Sequence, residues 1–239
     1  MAYCLVCSSA NYKSIGNTGS FSIVQCNDCG LRFLDPIPTE QCLSQFYASQ
    51  ENFTHYASVI ERKLKSGRRK IQRLKKYCSR GRFLDIGCST GANVEAAYRL
   101  GFESSGIDLC GAAINLARDK FPNNKFSVST IAQLEKESKL YDLIFCTEVI
   151  EHIPSPHEFV ESLKNIMNIN GILYMTTPDA GHFRVPRKFS SWKHVHAPDH
   201  LIYFNHKVLR RLLAEHSIQV LRFEWTTKTT IQLIARRVA

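Results

Sequence analysis

The sequence predicts an α/β fold built on a mostly parallel sheet, with a small metal-clipped ribbon in front of it. Three observations carry that expectation. From Gly81 onward, short apolar runs alternate regularly with helix-forming stretches; the first strand–helix pair is joined by the glycine-punctuated turn Gly87-Cys88-Ser89-Thr90-Gly91; and two C-x-x-C knuckles stand in the first 29 residues. Apolar runs covered by helices on both faces belong to parallel sheets.

Residues 1–38 are expected to form the ribbon and its connector. Cys4-Leu5-Val6-Cys7 and Cys26-Asn27-Asp28-Cys29 lie eighteen residues apart. Four thiolates at this spacing can surround one Zn²⁺, and so short a segment builds no core of its own without such a clip. A structural zinc on Cys4, Cys7, Cys26 and Cys29 is therefore the expectation, with Tyr12-Lys13-Ser14-Ile15 and Phe21-Ser22-Ile23-Val24 as ribbon arms around a Gly16-Asn17-Thr18-Gly19 turn. Leu31-Arg32-Phe33-Leu34-Asp35-Pro36-Ile37-Pro38 runs out as an extended connector, because each residue before a proline is pushed out of helical geometry. Residues 39–80 are expected to be a helical cap: a helix opening at Thr39 with Leu43, Phe46 and Tyr47 inward, a loop at Asn52 to Tyr56, then a basic helix over 57–79 with Ile60, Leu64, Ile71 and Leu74 facing the body.

The main domain, 81–239, is read as strand 83–88, helix 91–100, strand 102–108, helix 111–120, strand 125–129, helix 131–138, strand 141–147, helix 156–169, strand 171–177, helix 206–216 and paired strands near 218–225 and 228–236. The turn after the first strand lets backbone approach a ligand and aims the free N–H groups of a helix start at it. Asp108 ends the second strand, where a ribose can donate two hydroxyl hydrogen bonds. The connection from Pro178 to Asn205 is long for a compact domain and carries Trp192, His194, His196, Asp199, His200 and Tyr203; loops of that length at the carboxyl edge of such a sheet are commonly functional.

The chain of 239 residues is 44% hydrophobic and carries a net charge of +10, with eleven Lys or Arg and one acid between Glu61 and Arg82. Such a field attracts anionic partners, but the preferred reading of this cluster is a solvated helix face. No apolar run is long enough to span a bilayer and the N-terminal residues lack a secretory pattern, so a cytoplasmic location is expected, where cysteines at motif spacing serve metals rather than disulfides.

Taken with Tyr141-Asp142-Leu143-Ile144-Phe145-Cys146-Thr147-Glu148-Val149-Ile150-Glu151-His152-Ile153-Pro154 and Gly171-Ile172-Leu173-Tyr174-Met175-Thr176-Thr177-Pro178, the glycine turn and Asp108 resemble the class I S-adenosylmethionine-dependent methyltransferases over residues 80 to 236. The likeness is to the branch holding the ubiquinone-pathway O-methyltransferases and many bacterial glycan and natural-product methyltransferases. It implies a Rossmann-like fold, a seven-stranded sheet whose final hairpin is the antiparallel edge, and a cofactor held by Asp85, Gly87, Cys88, Gly91, Asp108, Leu109, Thr130, Ile131 and Glu148. Ser89 stands where that branch usually has glycine, and Ser127 to Ile131, the expected adenine edge, supplies no acid.

Methyl transfer to a hydroxyl needs an oriented nucleophile and something to take its proton or lower its pKa. The candidates are a base, His152 with His196 or His200, and a Mg²⁺ or Mn²⁺ site on Glu148, Glu151 and His152 completed by His200, since residues three and four apart share one side of a helical turn. The expected reaction is O-methylation of a small polar metabolite, sugar or glycan precursor, anionic or nucleotide-linked. RNA ribose 2′-O-methylation with a divalent metal is the second reading, and a non-catalytic binding protein the third.

Overall fold

The structure, a computed structural model, describes residues 3–39, 41–43 and 56–239. Its larger sheet is built from β4 (Arg82–Ile86), β5 (Glu103–Asp108), β6 (Lys125–Val128), β7 (Tyr141–Thr147), β8 (Met167–Pro178), β10 (Ile218–Phe223) and β11 (Thr230–Arg237), in the spatial order β10-β11-β8-β7-β4-β5-β6. The contacts β4–β5, β4–β7, β5–β6 and β7–β8 are parallel, and β11 runs antiparallel to both β8 and β10. The order reverses between β4 and β7, which places the ligand crevice of a doubly wound sheet at their carboxyl ends.

Strand alternation sorts the side chains into two cores. Phe83, Leu143, Phe145, Ile172, Tyr174 and Ile234 face α1 (Tyr56–Leu74), α2 (Ala92–Tyr98) and α3 (Gly111–Lys120). Leu84, Ile86, Ile144, Cys146, Leu173, Met175 and Leu233 face α4 (Ile131–Glu135), α5 (Pro156–Ile166) and α6 (His206–Ala214). On α1 the expected inward residues Ile60, Leu64, Ile71 and Leu74 are all buried, while Arg62, Lys63, Lys65, Arg68 and Arg69 are exposed. Ends differ by a few residues from the sequence reading. The largest shift is at α1, expected to run to 79 but ending at Leu74; α5 stops at Ile166, where Met167 takes up extended backbone and pairs with Tyr141, so β8 begins four residues before the expected start at Gly171.

The ribbon does not stand alone. β1 (Tyr12–Thr18), β2 (Phe21–Cys26) and β3 (Arg32–Asp35) form an antiparallel sheet whose fourth strand, β9 (Ile202–Tyr203), comes from the long connection after β8. The ribbon sheet thus crosses the boundary that composition suggests near residue 38. The hairpin turn is the pair Gly19-Ser20 rather than 16–19, because Thr18 still pairs with Phe21 and the irregularity at Ser14/Gly16 is a bulge within β1. Thr39 accepts from Cys42 N through its hydroxyl at 3.2 Å and from Leu43 N through its carbonyl at 3.0 Å, as a helix start requires. Phe46, Tyr47 and residues 52–55 of the loop expected over Asn52 to Tyr56 lie outside the described residues, and Tyr56 opens α1 rather than ending a loop.

Candidate active site

The turn after β4 is a cradle that only small residues can form. Gly87 and Gly91 have φ of 71° and 78°, and an added Cβ would stand 2.7 Å from Val149 Cγ2 and 2.6 Å from Phe126 Cζ respectively. Ser89 between them also has positive φ, 48°, and donates its backbone N–H to Asp108 Oδ2 at 2.8 Å. The other oxygen of Asp108 accepts from Cys110 N at 2.9 Å, so this carboxylate ties the turn to the end of β5. The Cys88 side chain is buried and turns inward against Gly106.

Asp85 is buried behind the turn. Its Oδ2 accepts from Asn93 Nδ2 at 3.2 Å and its Oδ1 has no partner. Burial, reinforced by the charge of Asp108, pushes its carboxyl up to about 7 against the hydrogen bond from Asn93. Beyond the sheet, Leu109 and Val128 are exposed apolar side chains at the ends of β5 and β6, 70% and 53% accessible. Ile131 is buried in α4, and Thr130 closes a capping box with Gln133, so its hydroxyl and amide are engaged in starting that helix.

The end of β7 departs from the expected helical spacing. Glu148 has φ 56° and Val149 is also non-helical; a 3₁₀ turn begins only at Ile150 and runs to His152. Glu148 and Glu151 therefore do not share a side. Glu148 is exposed and accepts from Thr176 Oγ1 at 2.7 Å, while Glu151 is wholly buried and accepts from Thr177 Oγ1 at 2.9 Å with Oε1 unpartnered. Among the described residues, the potential ligand atoms of Glu151, His152 and His200 lie within 4.8 Å of one another, and Glu148 is not in that group.

The His152 and His200 rings are edge to face, with centroids 4.8 Å apart. His152 Nδ1 lies 2.8 Å from Asp199 Oδ1 and 2.9 Å from Asp199 O, both acceptors, so it carries the proton and the neutral ring bears its lone pair on Nε2. Burial presses the His152 pKa down, but the contact with Asp199 and the field of Glu151 outweigh it and hold the net value above the ordinary one. His200 goes the other way: burial and the neighbouring His152 lower it to about 4, and its Nδ1 is buried without a partner. Glu151 is raised to about 8 by burial and by Glu148. His196 is exposed, its ring 5.7 Å from that of His200. The sequence named Asp199 only among the polar residues of the long loop and gave it no role; its position next to His200 was the available signal.

In the ribbon the four cysteine thiols gather within 4.8 Å, with Cys4 Sγ–Cys29 Sγ at 3.4 Å and Cys7 Sγ–Cys26 Sγ at 3.5 Å. A tetrahedral zinc–thiolate set with bonds of about 2.3 Å has sulfur–sulfur edges of about 3.8 Å, so the cluster is compatible with a small zinc-binding region. The Cys29 and Leu31 amides point at Cys26 Sγ and Cys29 Sγ, each at 3.5 Å.

Sheet order, glycine turn and terminal acid define a class I S-adenosylmethionine-dependent methyltransferase domain. Residues 55–222 match the family described as methyltransferase domain, and the chain belongs to that family. It is 33% identical over 103 residues to a ubiquinone biosynthesis O-methyltransferase of Glaesserella parasuis serovar 5 (strain SH0165), the match covering 39% of this chain and 44% of that protein. To the protein of the same name from Histophilus somni (strain 2336) it is 30% identical over 118 residues, covering 46% and 47%. The chain thus spans less than half the length of these relatives. In fold it is similar to magnesium protoporphyrin IX methyltransferase from Synechocystis PCC 6803 with bound SAH, at TM-score 0.63, 15% identity and coverage of 83% of this chain and 100% of that one. An S-adenosylmethionine-dependent methyltransferase from Clostridium acetobutylicum ATCC 824 superposes at TM-score 0.59, 12% identity, 83% and 100% coverage. No helix among the described residues is long and apolar enough to cross a membrane.

Proposed function

We propose that the protein transfers a methyl group from S-adenosylmethionine to a hydroxyl of a small polar acceptor, with His152 as the base. The observation that carries this reading is the His152–Asp199 pair at the carboxyl end of β7, which leaves a lone pair on Nε2 and strengthens its basicity. S-adenosylmethionine supplies an electrophilic sulfonium methyl when bound. The residues present fit it: a cradle without Cβ atoms at Gly87 and Gly91, the unpartnered Oδ1 of buried Asp85, Asp108 for the ribose hydroxyls, and Leu109 with Val128 as an apolar bed for a base. Acceptor O-methylation is supported by the printed names of the partial relatives. Binding of S-adenosylhomocysteine, followed by a labelled-methyl screen over phenols, sugars, nucleotide-sugars and RNA fragments, tests it. Transfer to carbon or nitrogen alone would refute the hydroxyl assignment.

A second reading rests on a specific observation. Glu151 Oε1 and His200 Nδ1 are both buried and unpartnered within the same 4.8 Å group as His152, which is a donor set suited to a divalent cation. Such an ion would polarise the acceptor hydroxyl in place of a base. We propose further that the four ribbon cysteines hold one zinc, a closed and structural site, supported by their clustering and by the amides aimed at two of the sulfurs.

A further inference from the structure

We propose that Arg32 is a positioning residue for the reaction centre: it fastens the ribbon to two points of the 179–205 connection and so sets where Asp199 and His200 stand against His152. The inference rests on the assignment of His152 and His200 to that centre. Arg32 sits in β3, within a connector to which the cofactor and zinc sites give no task. Its Nε donates to Gln25 Oε1 at 2.9 Å, which orients the guanidinium from the neighbouring strand. Nη1 then donates to Ala180 O at 2.9 Å, and the cation lies 4.5 Å from the centroid of the Phe189 ring.

The Phe189 contact leads to the histidines. Phe189 packs on Trp192 and Tyr203, with centroids at 5.4 and 5.3 Å, and the Tyr203 hydroxyl donates to His200 O at 3.1 Å. The strand that carries Arg32 makes the second link: Arg32 pairs with Tyr203 and Phe33 with Ile202, Leu34 N donates to Leu201 O at 2.9 Å, and Leu201 N donates to Glu151 O at 2.8 Å. A planar guanidinium with N–H groups in two directions and a face for a ring is required here; an ammonium supplies neither the fork nor the stack.

The two tryptophans make the test direct, since Trp192 is buried in this loop and Trp225 is exposed. In a Trp225→Phe background, Arg32→Ala is expected to red-shift Trp192 emission and raise its quenching by acrylamide several-fold, with S-adenosylhomocysteine affinity unchanged within about twofold. Millimolar ethylguanidinium, but not ethylammonium, should restore the emission. Arg32→Lys, which keeps charge and stem, should show the same shift to a smaller degree and serves if the alanine variant does not fold. In a methyl-transfer assay, turnover should fall at least about tenfold with the KM for S-adenosylmethionine unchanged. Unaltered Trp192 emission in both variants, or equal restoration by the two cations, would overturn the proposal. Failure of the unsubstituted protein to bind S-adenosylhomocysteine would remove the methyl-transfer reading while the Trp192 result still decided whether Arg32 fastens the loop.

Discussion

His152 and His200 face each other at 4.8 Å with opposite protonation preferences: Asp199 and Glu151 hold the first above its ordinary pKa, while burial and the first ring drive the second to about 4. Environments that split two like groups in this way separate the acid–base roles of a site.

If His152 is the base, His152→Ala should lower turnover by at least about a hundredfold while cofactor affinity changes little. The pH profile has a determined sign. A base must be neutral, so turnover rises as pH climbs through the raised His152 value, above 6.5. The stability contributed by the His152–Asp199 pair runs opposite: it is fully present below 6.5, the unfolded value, and lost as pH rises through the folded one. Asp199→Asn should move the turnover profile to lower pH; a profile that stays put excludes His152 as the titrating group.

Glu151 gives a second test of sign. Its folded pKa of about 8 lies above the ordinary 4.5, so the native state prefers the protonated carboxyl and loses stability as pH rises between these values. Glu151→Gln keeps an acceptor for Thr177 Oγ1 and removes the ionisation. The variant should be more stable than wild type at pH 8–9, by the order of a few kcal/mol, and should lose that advantage near pH 5. Thermal melts across pH decide it, and a wild-type advantage at alkaline pH would point to a bound cation instead.

The metal reading has its own outcome. Exhaustive chelation should abolish methyl transfer and Mg²⁺ or Mn²⁺ restore it, with one zinc per chain retained in the ribbon by elemental analysis. Full activity after chelation leaves the base alone. Cys26→Ala should lower both the zinc content and the melting temperature.

Asp108→Ala removes the proposed ribose acceptor and also two backbone hydrogen bonds, from Ser89 and Cys110. Calorimetry should show S-adenosylhomocysteine binding weakened about ten- to a hundredfold, together with about 1–3 kcal/mol of lost stability. Gly91→Ala should be costly without touching any polar group, because its φ of 78° and the Phe126 ring at 2.6 Å leave no room for a methyl.

Most of the sheet was legible because strands such as β4, β7 and β8 hold short apolar runs bounded by turn residues and the helices carry their own periodicity; β7 and α3 match to the residue. The turn at Gly87 and Gly91 was readable because positive φ and close packing need glycine at fixed offsets. What escaped was non-local. Nothing in Ile202-Tyr203 announces a strand, since β9 is two residues long and exists only because β3 offers it an edge. Glu148 was misplaced relative to Glu151 because spacing was read as helical where the chain first passes through a left-handed residue. Asp199 acquired its role from a partner 47 positions away, a relation that no local pattern encodes.

The register of β3 on β9 joins Phe33 to Ile202, so the ribbon's last strand is synthesised about 170 residues before the strand that completes it. At ordinary translation rates of about 5–20 residues per second, that edge waits on the order of ten seconds or more beside the ribosome without its neighbour. It is a short edge with a charge at either end, Arg32 and Asp35, followed at once by Pro36, which are the features that discourage a waiting strand from pairing with another chain. Substituting an apolar residue for Asp35 should therefore reduce the yield of soluble protein during expression.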